Sequence, residues 1–346
     1  MKPRLQRSTL WLRFPNEVSA CPGCGSQSIS LLDAFFARTK ADGRRVAFLT
    51  GCHSCGLVFA NPLPTADELQ RTYSKAGPWA AARIDRLRRL ENAHRQRERK
   101  ARPRKVRTVV RPADRLLDAL APFLPVHDPP PGAKVLDVGC GDGKFLNRLQ
   151  DRGWDTYGIE PSTDVAFLRH RRLESPPQDA SFDFVVLHHV LEHVRSPLDL
   201  LSQLSRTLRD GGIIFISTPR LDTLPDHGDL AYCIDGRWHL MCYSERCLTG
   251  LLTRAGLQAA TRLDLPELDR SQTDGKPVRL RIVATRTVTP SPLPSAPLAP
   301  ALAALRRYGM ASNSGLLPRL LRFLPVRMRA ALLARVRRTS RHRAHR

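Results

Sequence analysis

The stretch KVLDVGCGDGKFLNRL, starting at Lys134, limits the possible folds more than any other part of the chain. KVLDVG reads as a short buried strand, GCGDG as the turn at its carboxyl end, and KFLNRLQDRG as a helix whose Phe145, Leu146 and Leu149 face a sheet. Gly139, Gly141 and Gly143 let the backbone turn sharply and approach a ligand with no Cβ in the way. Open parallel α/β sheets bind their ligands at such carboxyl ends. The third glycine comes one residue too early for the G-x-G-x-x-G of a dinucleotide site, and Asp137 and Asp142 bring negative charge to the turn. That charge suits the ammonium of an amino-acid-bearing ligand better than a pyrophosphate. Glu160 ends the next strand, in YGIEPS, 21 residues after Gly139, about where an acid meets ribose hydroxyls.

The pattern around this unit alternates strand and helix from Ala133 to about Arg286, which predicts a doubly wound parallel sheet. Strands are expected at 134–139, 156–160, 183–189, 212–217, 257–263 and 278–286, and helices near 143–151, 163–171, 197–209 and 244–255. Ser196 with Pro197, and Ser244 with Glu245, supply helix starts. RDGG at 209–212 reads as a glycine helix stop that turns into the apolar run IIFIS. The organisation expected is a cysteine-rich module at 15–64, a basic helical connector at 65–130, the sheet domain at 131–286, and a Pro-rich linker with a basic tail at 287–346.

The formal net charge is +24, and it is segregated. Between Arg83 and Arg111 thirteen Lys or Arg face three acids, and no acid follows Asp274. Such runs attract polyanions (nucleic acid, anionic lipid or phosphorylated substrates) or are simply solvated. The tail mixes Leu and Arg at near-helical spacing, which fits a basic amphipathic helix on an anionic membrane surface, an RNA or protein contact, or disorder. No run reaches the ~18–20 apolar residues of a membrane span. The N-terminus lacks an apolar core with a small-residue cleavage site, so the expected location is the cytoplasm, with peripheral contact to the inner face of the membrane as a further option.

Four of the eight cysteines form two C-x-x-C pairs, Cys21 with Cys24 and Cys52 with Cys55, each followed by glycine. That spacing lets both thiolates of a knuckle face one ion, and four thiolates close a tetrahedral zinc site with no position left for substrate. The expected role of the zinc is therefore structural, in a module too small for a core of its own.

With these residues in hand, the chain resembles the class I S-adenosylmethionine-dependent methyltransferases. VLDVGCGDGKFL looks like their first motif, YGIEPS like the second, SFDFVVLHHVLEHVRSPLDLL like the fourth strand and its loop, and LRDGGIIFISTP like the fifth strand. The segment CPGCG…CHSCGLVFANPLP is similar to a bacterial zinc-ribbon subgroup, whose members are associated with glycans, lipids or specialised metabolites. The resemblance implies that Asp137, Gly139, Cys140 and Gly141 surround the methionine part of S-adenosylmethionine. It puts Glu160 on the ribose, and His188 and His189 near the sulfonium and the acceptor. Only 23 residues separate Glu160 from Asp183, so the third strand of such a sheet is expected to be shortened or lost, and Asp179 is the nearest candidate for the adenine contact.

Methyl transfer from a sulfonium needs alignment and, for weakly acidic acceptors, a base. His189 and His193 in HHVLEH, and His239 in RWHLMCYS, are the candidates. Glu192 and His193 would also suit a divalent ion, as in some related O-methyltransferases, and Trp238, Tyr232 and Tyr243 are candidate pocket walls. The expected acceptor is a small molecule or glycan, methylated on oxygen. Two alternatives stay open: a non-catalytic binding protein for RNA or a partner, and a methyltransferase acting on RNA or protein.

Overall fold

Apolar runs of five to eight residues become the central strands, because only strands covered on both faces tolerate such continuous hydrophobicity. The computed structural model describes residues 17–39, 43–81, 112–164, 168–222, 233–234, 238–265, 268 and 278–286. The segment 82–111, the 287–346 tail and Tyr232 lie outside the described residues.

Seven strands form the main sheet: β4 (Lys134–Val138), β5 (Asp155–Ile159), β6 (Arg171–Arg172), β7 (Phe182–His188), β8 (Leu208–Pro219), β10 (Leu257–Arg262) and β11 (Arg279–Arg286). Their order is β10-β11-β8-β7-β4-β5-β6. The block from β8 to β6 is parallel, and β11 enters antiparallel between β8 and β10. Alternate side chains feed two cores. Leu136, Val185, Leu187, Ile214 and Ile216 face one, while Val135, Phe184, Val186, Ile213 and Phe215 face the other. Helices α2 (Pro112–Leu120) and α3 (Lys144–Gln150) cover the second face through Leu116, Leu117, Leu120, Leu146 and Leu149.

The third strand of the parallel half is shortened to two residues, β6, which pairs with Tyr157 and Gly158. Of the helix expected over 163–171, residues 165–167 lie outside the described residues, Thr163, Asp164, Arg169 and His170 are turn or irregular, and Arg171 belongs to β6. His170 anchors this abbreviated segment through Thr156 Oγ1 (2.8 Å) and Asn147 Oδ1 (3.1 Å). Two further local expectations change. Ser196 makes no side-chain cap for α4 (Pro197–Thr207), although Pro197 does occupy the first turn. RDGG is not a helix stop, because α4 ends at Thr207 and β8 begins at Leu208. Leu208 already pairs with Phe182, the next pair is Phe184 with Ile213, and the Arg209 guanidinium holds the Asp183 carboxylate, so the glycines fall inside the strand at a register shift.

The second sheet is antiparallel, in the order β1 (Ile29–Thr39), β2 (Gly43–Cys52), β3 (Val58–Asn61) and β9 (Met241–Cys242). Its fourth strand thus comes from the loop that precedes α5 (Glu245–Arg254). Cys21, Cys52, Cys55, Leu57 and Phe59 share one hydrophobic cluster with Leu240, Met241, Tyr243, Leu248 and Leu251. After β3 the chain enters α1 (Ala66–Tyr73) through a capping box: Thr65 Oγ1 accepts from Glu68 N (3.0 Å), and Thr65 N donates to Glu68 Oε2 (2.6 Å).

Candidate active site

The glycine turn leaves β4 with Gly139, Gly141 and Gly143 all at positive φ, between 61° and 74°. Gly139 N donates to Ile159 O at 2.7 Å, which pins the turn to the end of β5. A Cβ on Gly139 would stand 2.6 Å from Val190 Cγ2, so the turn is packed against the loop that follows β7. Cys140 is buried beside it. The Glu160 carboxylate reaches back into the same turn. Its Oε2 accepts from Gly141 N (3.0 Å), and its Oε1 accepts from Ser162 N (2.8 Å) and Ser162 Oγ (2.6 Å). Asp137 is buried, and desolvation together with the Glu160 charge pushes its pKa up to about 8. Two carboxyl groups thus converge on one glycine turn, and the buried Asp137 holds a proton that an arriving cation would displace.

The histidine loop starts where β7 ends. His188 is solvent-exposed on the rim yet ringed by protein. Desolvation, His189 and the Arg279 and Arg281 guanidiniums hold its pKa down to about 3. His189 sits in the left-handed region at φ 59°, held there by its own N–H on Ser217 O (2.8 Å). Its Nδ1 lies 2.8 Å from Glu192 Oε1, and Thr218 Oγ1 donates to Glu192 Oε2 at 3.0 Å. Burial alone would raise the pKa of Glu192, but the His189 hydrogen bond and the nearby His193 and His239 outweigh it and bring it to about 2. An ionised carboxylate can only accept, so Nδ1 of His189 carries a proton and Nε2 presents its lone pair when the ring is neutral. That Nε2 is buried and has no hydrogen-bond partner.

His193 lies one turn further on. Its Nδ1 meets the Trp238 carbonyl at 2.7 Å, which fixes a proton there too, with the Tyr73 hydroxyl at 3.1 Å. His239 stacks edge-on against His193 at 4.9 Å. Around them stand three half-buried rings, Tyr73, Trp79 and Trp238, with centroids 5.1–6.3 Å apart. Tyr73 and Trp79 come from the connector, which the sequence offered only as a basic helical link. The unread signal was the Thr65-x-x-Glu68 capping box that starts α1.

Two placements differ from expectation. Tyr243 is fully buried with its hydroxyl on Leu191 O (2.9 Å), so it is core and not pocket wall. Asp179 precedes β7, at the amino edge of the sheet, and is out of reach of the glycine turn. The residues that follow β6 at the carboxyl edge are Leu173 and Glu174.

Two side-chain clusters have metal-ligand chemistry among the described residues. The four thiols of Cys21, Cys24, Cys52 and Cys55 lie within 4.8 Å of one another, with Cys21–Cys55 at 3.6 Å and Cys24–Cys52 at 3.5 Å. Four sulfurs around zinc at about 2.3 Å would stand about 3.8 Å apart, so the site fits. The second cluster is Glu192, His193 and His239, whose ligand atoms also fall within 4.8 Å.

Residues 95–261 match the family model of a methyltransferase domain. A tRNA U34 carboxymethyltransferase of Pseudoalteromonas translucida is 35% identical over 112 residues, 28% of this chain and 35% of that protein. A ubiquinone biosynthesis O-methyltransferase of Idiomarina loihiensis is 36% identical over 103 residues, 25% of this chain and 42% of that protein. A probable S-adenosylmethionine-dependent methyltransferase of Mycolicibacterium smegmatis is 30% identical over 146 residues, 38% of this chain and 54% of that protein. The chain therefore spans about a third to a half of the length of the curated relatives it matches. The glycine turn, Glu160 and the parallel strands β4 to β8 all lie within the segment that matches a methyltransferase domain. No helix among the described residues is long and apolar enough to cross a membrane.

Proposed function

We propose that the protein transfers a methyl group from S-adenosylmethionine to an oxygen of a small-molecule, lipid or glycan-type acceptor, with zinc in the four-cysteine module as a structural ion. S-adenosylmethionine, when bound, supplies an electrophilic methyl on its sulfonium. Asp137 and the turn at Gly139, Cys140 and Gly141 hold the amino-acid part, Asp137 offering its carboxylate to the ammonium. Glu160 offers its remaining lone pairs to ribose hydroxyls. His188 borders the cofactor at the rim.

The observation that carries the reading is the orphaned Nε2 of His189, next to the loop that packs on Gly139. A ring tied at Nδ1 to a buried carboxylate is aligned to take a proton at Nε2 from an acceptor hydroxyl, and Glu192 stabilises the imidazolium that results. His193 and His239, with Tyr73, Trp79 and Trp238, form the acceptor wall. Flat, half-exposed rings suit a sugar face or an aromatic acceptor. A divalent ion on Glu192, His193 and His239 is a second reading, favoured by their convergence. It would have to compete with protein for both Glu192 oxygens, each already hydrogen-bonded.

Calorimetric titration with S-adenosylmethionine and S-adenosylhomocysteine tests the reading. Binding is expected in the wild type and in His189→Gln, and is lost in Asp137→Ala. In an acceptor screen, His189→Gln should lower turnover by about 10²–10⁴-fold. A folded wild type that binds neither ligand would refute the enzyme reading.

A further inference from the structure

Trp238 and His239 sit on a short strap with two anchors. On one side, Ala60 N donates to Leu240 O (2.9 Å), and β3 pairs with β9 through Val58 with Cys242 and Phe59 with Met241. On the other, Leu240 N donates to Glu192 O (2.7 Å) and His193 Nδ1 to Trp238 O (2.7 Å). The strap thus hangs between the cysteine module and the histidine loop.

The module side of that connection is very short. Cys55 closes the second knuckle, and β3 starts three residues later, after Cys52 N has bonded Leu57 O at 2.9 Å. The knuckles also press on α5, the helix that follows the strap. A Cβ on Gly23 would meet Leu57 Cδ2 at 2.8 Å and Leu251 Cδ2 at 3.4 Å. Arg254 donates to Cys24 O at 3.2 Å, and the buried Cys247 of α5 packs in the same cluster as Cys55. Gly23 N donates to Cys21 Sγ at 3.3 Å, an outer donor of the kind that orients the thiolates of a metal site. Without an ion to gather them, four thiols have no comparable reason to keep two knuckles together.

We infer that metal in the four-cysteine module holds the 238–242 strap in place, so that the module is a positioning part of the acceptor wall while the cofactor side of the sheet stands without it. This rests on the reading of Trp238 and His239 as acceptor wall. The glycine turn and Glu160 are bound to β4 and β5, and no hydrogen bond among the described residues joins them to the module, whose contact with β4 is the apolar packing around Leu136 and Val138.

The test needs no acceptor. Zinc is stripped from the full chain with a mercurial and a chelator. Trp238 emission is obtained as the difference between wild type and Trp238→Phe, and S-adenosylhomocysteine affinity is measured in parallel by calorimetry. The expected result is a red shift of Trp238 emission that zinc re-addition reverses, with cofactor affinity held within about threefold. Ala60→Pro, which removes the N–H on Leu240 O and leaves every cysteine, should retain zinc and give the same shift. Unchanged Trp238 emission in the stripped protein would overturn the inference. So would a parallel loss of cofactor binding, which would make the metal a support of the whole fold. Neither outcome bears on whether methyl transfer occurs, so the enzyme reading stands or falls separately.

Discussion

The two sides of the site are built on different principles. The side proposed for the cofactor is local: β4, its glycine turn, β5 and Glu160 lie within 27 consecutive residues, 134–160, and the backbone makes much of its structure. The side proposed for the acceptor is collected from four distant segments that supply Tyr73 and Trp79, the 188–193 loop, Thr218, and Trp238 with His239. A site assembled this way can change at Tyr73, Trp79, Trp238 or His239 while the glycine turn is left in place, and the two halves meet where Val190 packs on Gly139. Its geometry then depends on tertiary contacts that no single segment specifies.

Breaking the acceptor side at its centre should have the largest effect. Glu192→Ala leaves the buried Thr218 hydroxyl and His189 Nδ1 without a partner, and each buried polar group left unsatisfied costs about 1–3 kcal/mol. Urea unfolding would measure it. Because the folded pKa of Glu192 lies below its ordinary value, the wild type should also lose this stability as the pH falls from about 4.5 through about 2, and the variant should not.

On the cofactor side the sign reverses. Asp137 has a folded pKa of about 8, above its unfolded value, so its contribution to stability declines as the pH rises from about 4 toward 8. Asp137→Asn should therefore be more stable than wild type at neutral pH, by a margin that grows up to about pH 8. In the wild type, binding a ligand ammonium requires the carboxylate and releases a proton. Affinity should tighten by up to about tenfold per pH unit between about pH 6 and 7.5. Calorimetry in buffers of different ionisation enthalpy would detect the proton, and the Asn variant should release none.

The smallest effect should come at the edge of the acceptor wall. Thr65→Ala removes the cap of α1 and should cost about 1 kcal/mol in thermal or urea unfolding, with cofactor affinity unchanged.

The same contrast explains what could be read from the chain. β4, β5, β7, β10 and β11 were legible to within a residue or two, because strands covered on both faces or bounded by turns announce themselves as apolar runs. The cysteine pairs were legible because ligand spacing is local. β9 was not, since two residues, Met241 and Cys242, carry no period, and their partner β3 lies far away in sequence. β6 was legible only as a shortage of residues between Glu160 and Asp183. The Glu192 to Thr218 bond and the Tyr73 to His193 contact link separate elements, and no single-sequence pattern encodes them. Tyr243 was read as a wall because an aromatic residue beside a pocket loop looks the same whether its hydroxyl meets ligand or, as here, the Leu191 carbonyl.

The borrowed fourth strand of the small sheet has a consequence for synthesis. A ribosome delivers the cysteine knuckles early and Met241–Cys242 late, so β3 must wait with one edge unpaired while most of the large sheet is made. Such a waiting edge can recruit the wrong strand, and distant pairings of this kind form slowly. The cysteine module precedes the large sheet in the chain but is among the last parts able to finish folding. A translation arrest placed before Met241 would catch it incomplete, with the buried apolar side chains of Val58 and Phe59 uncovered.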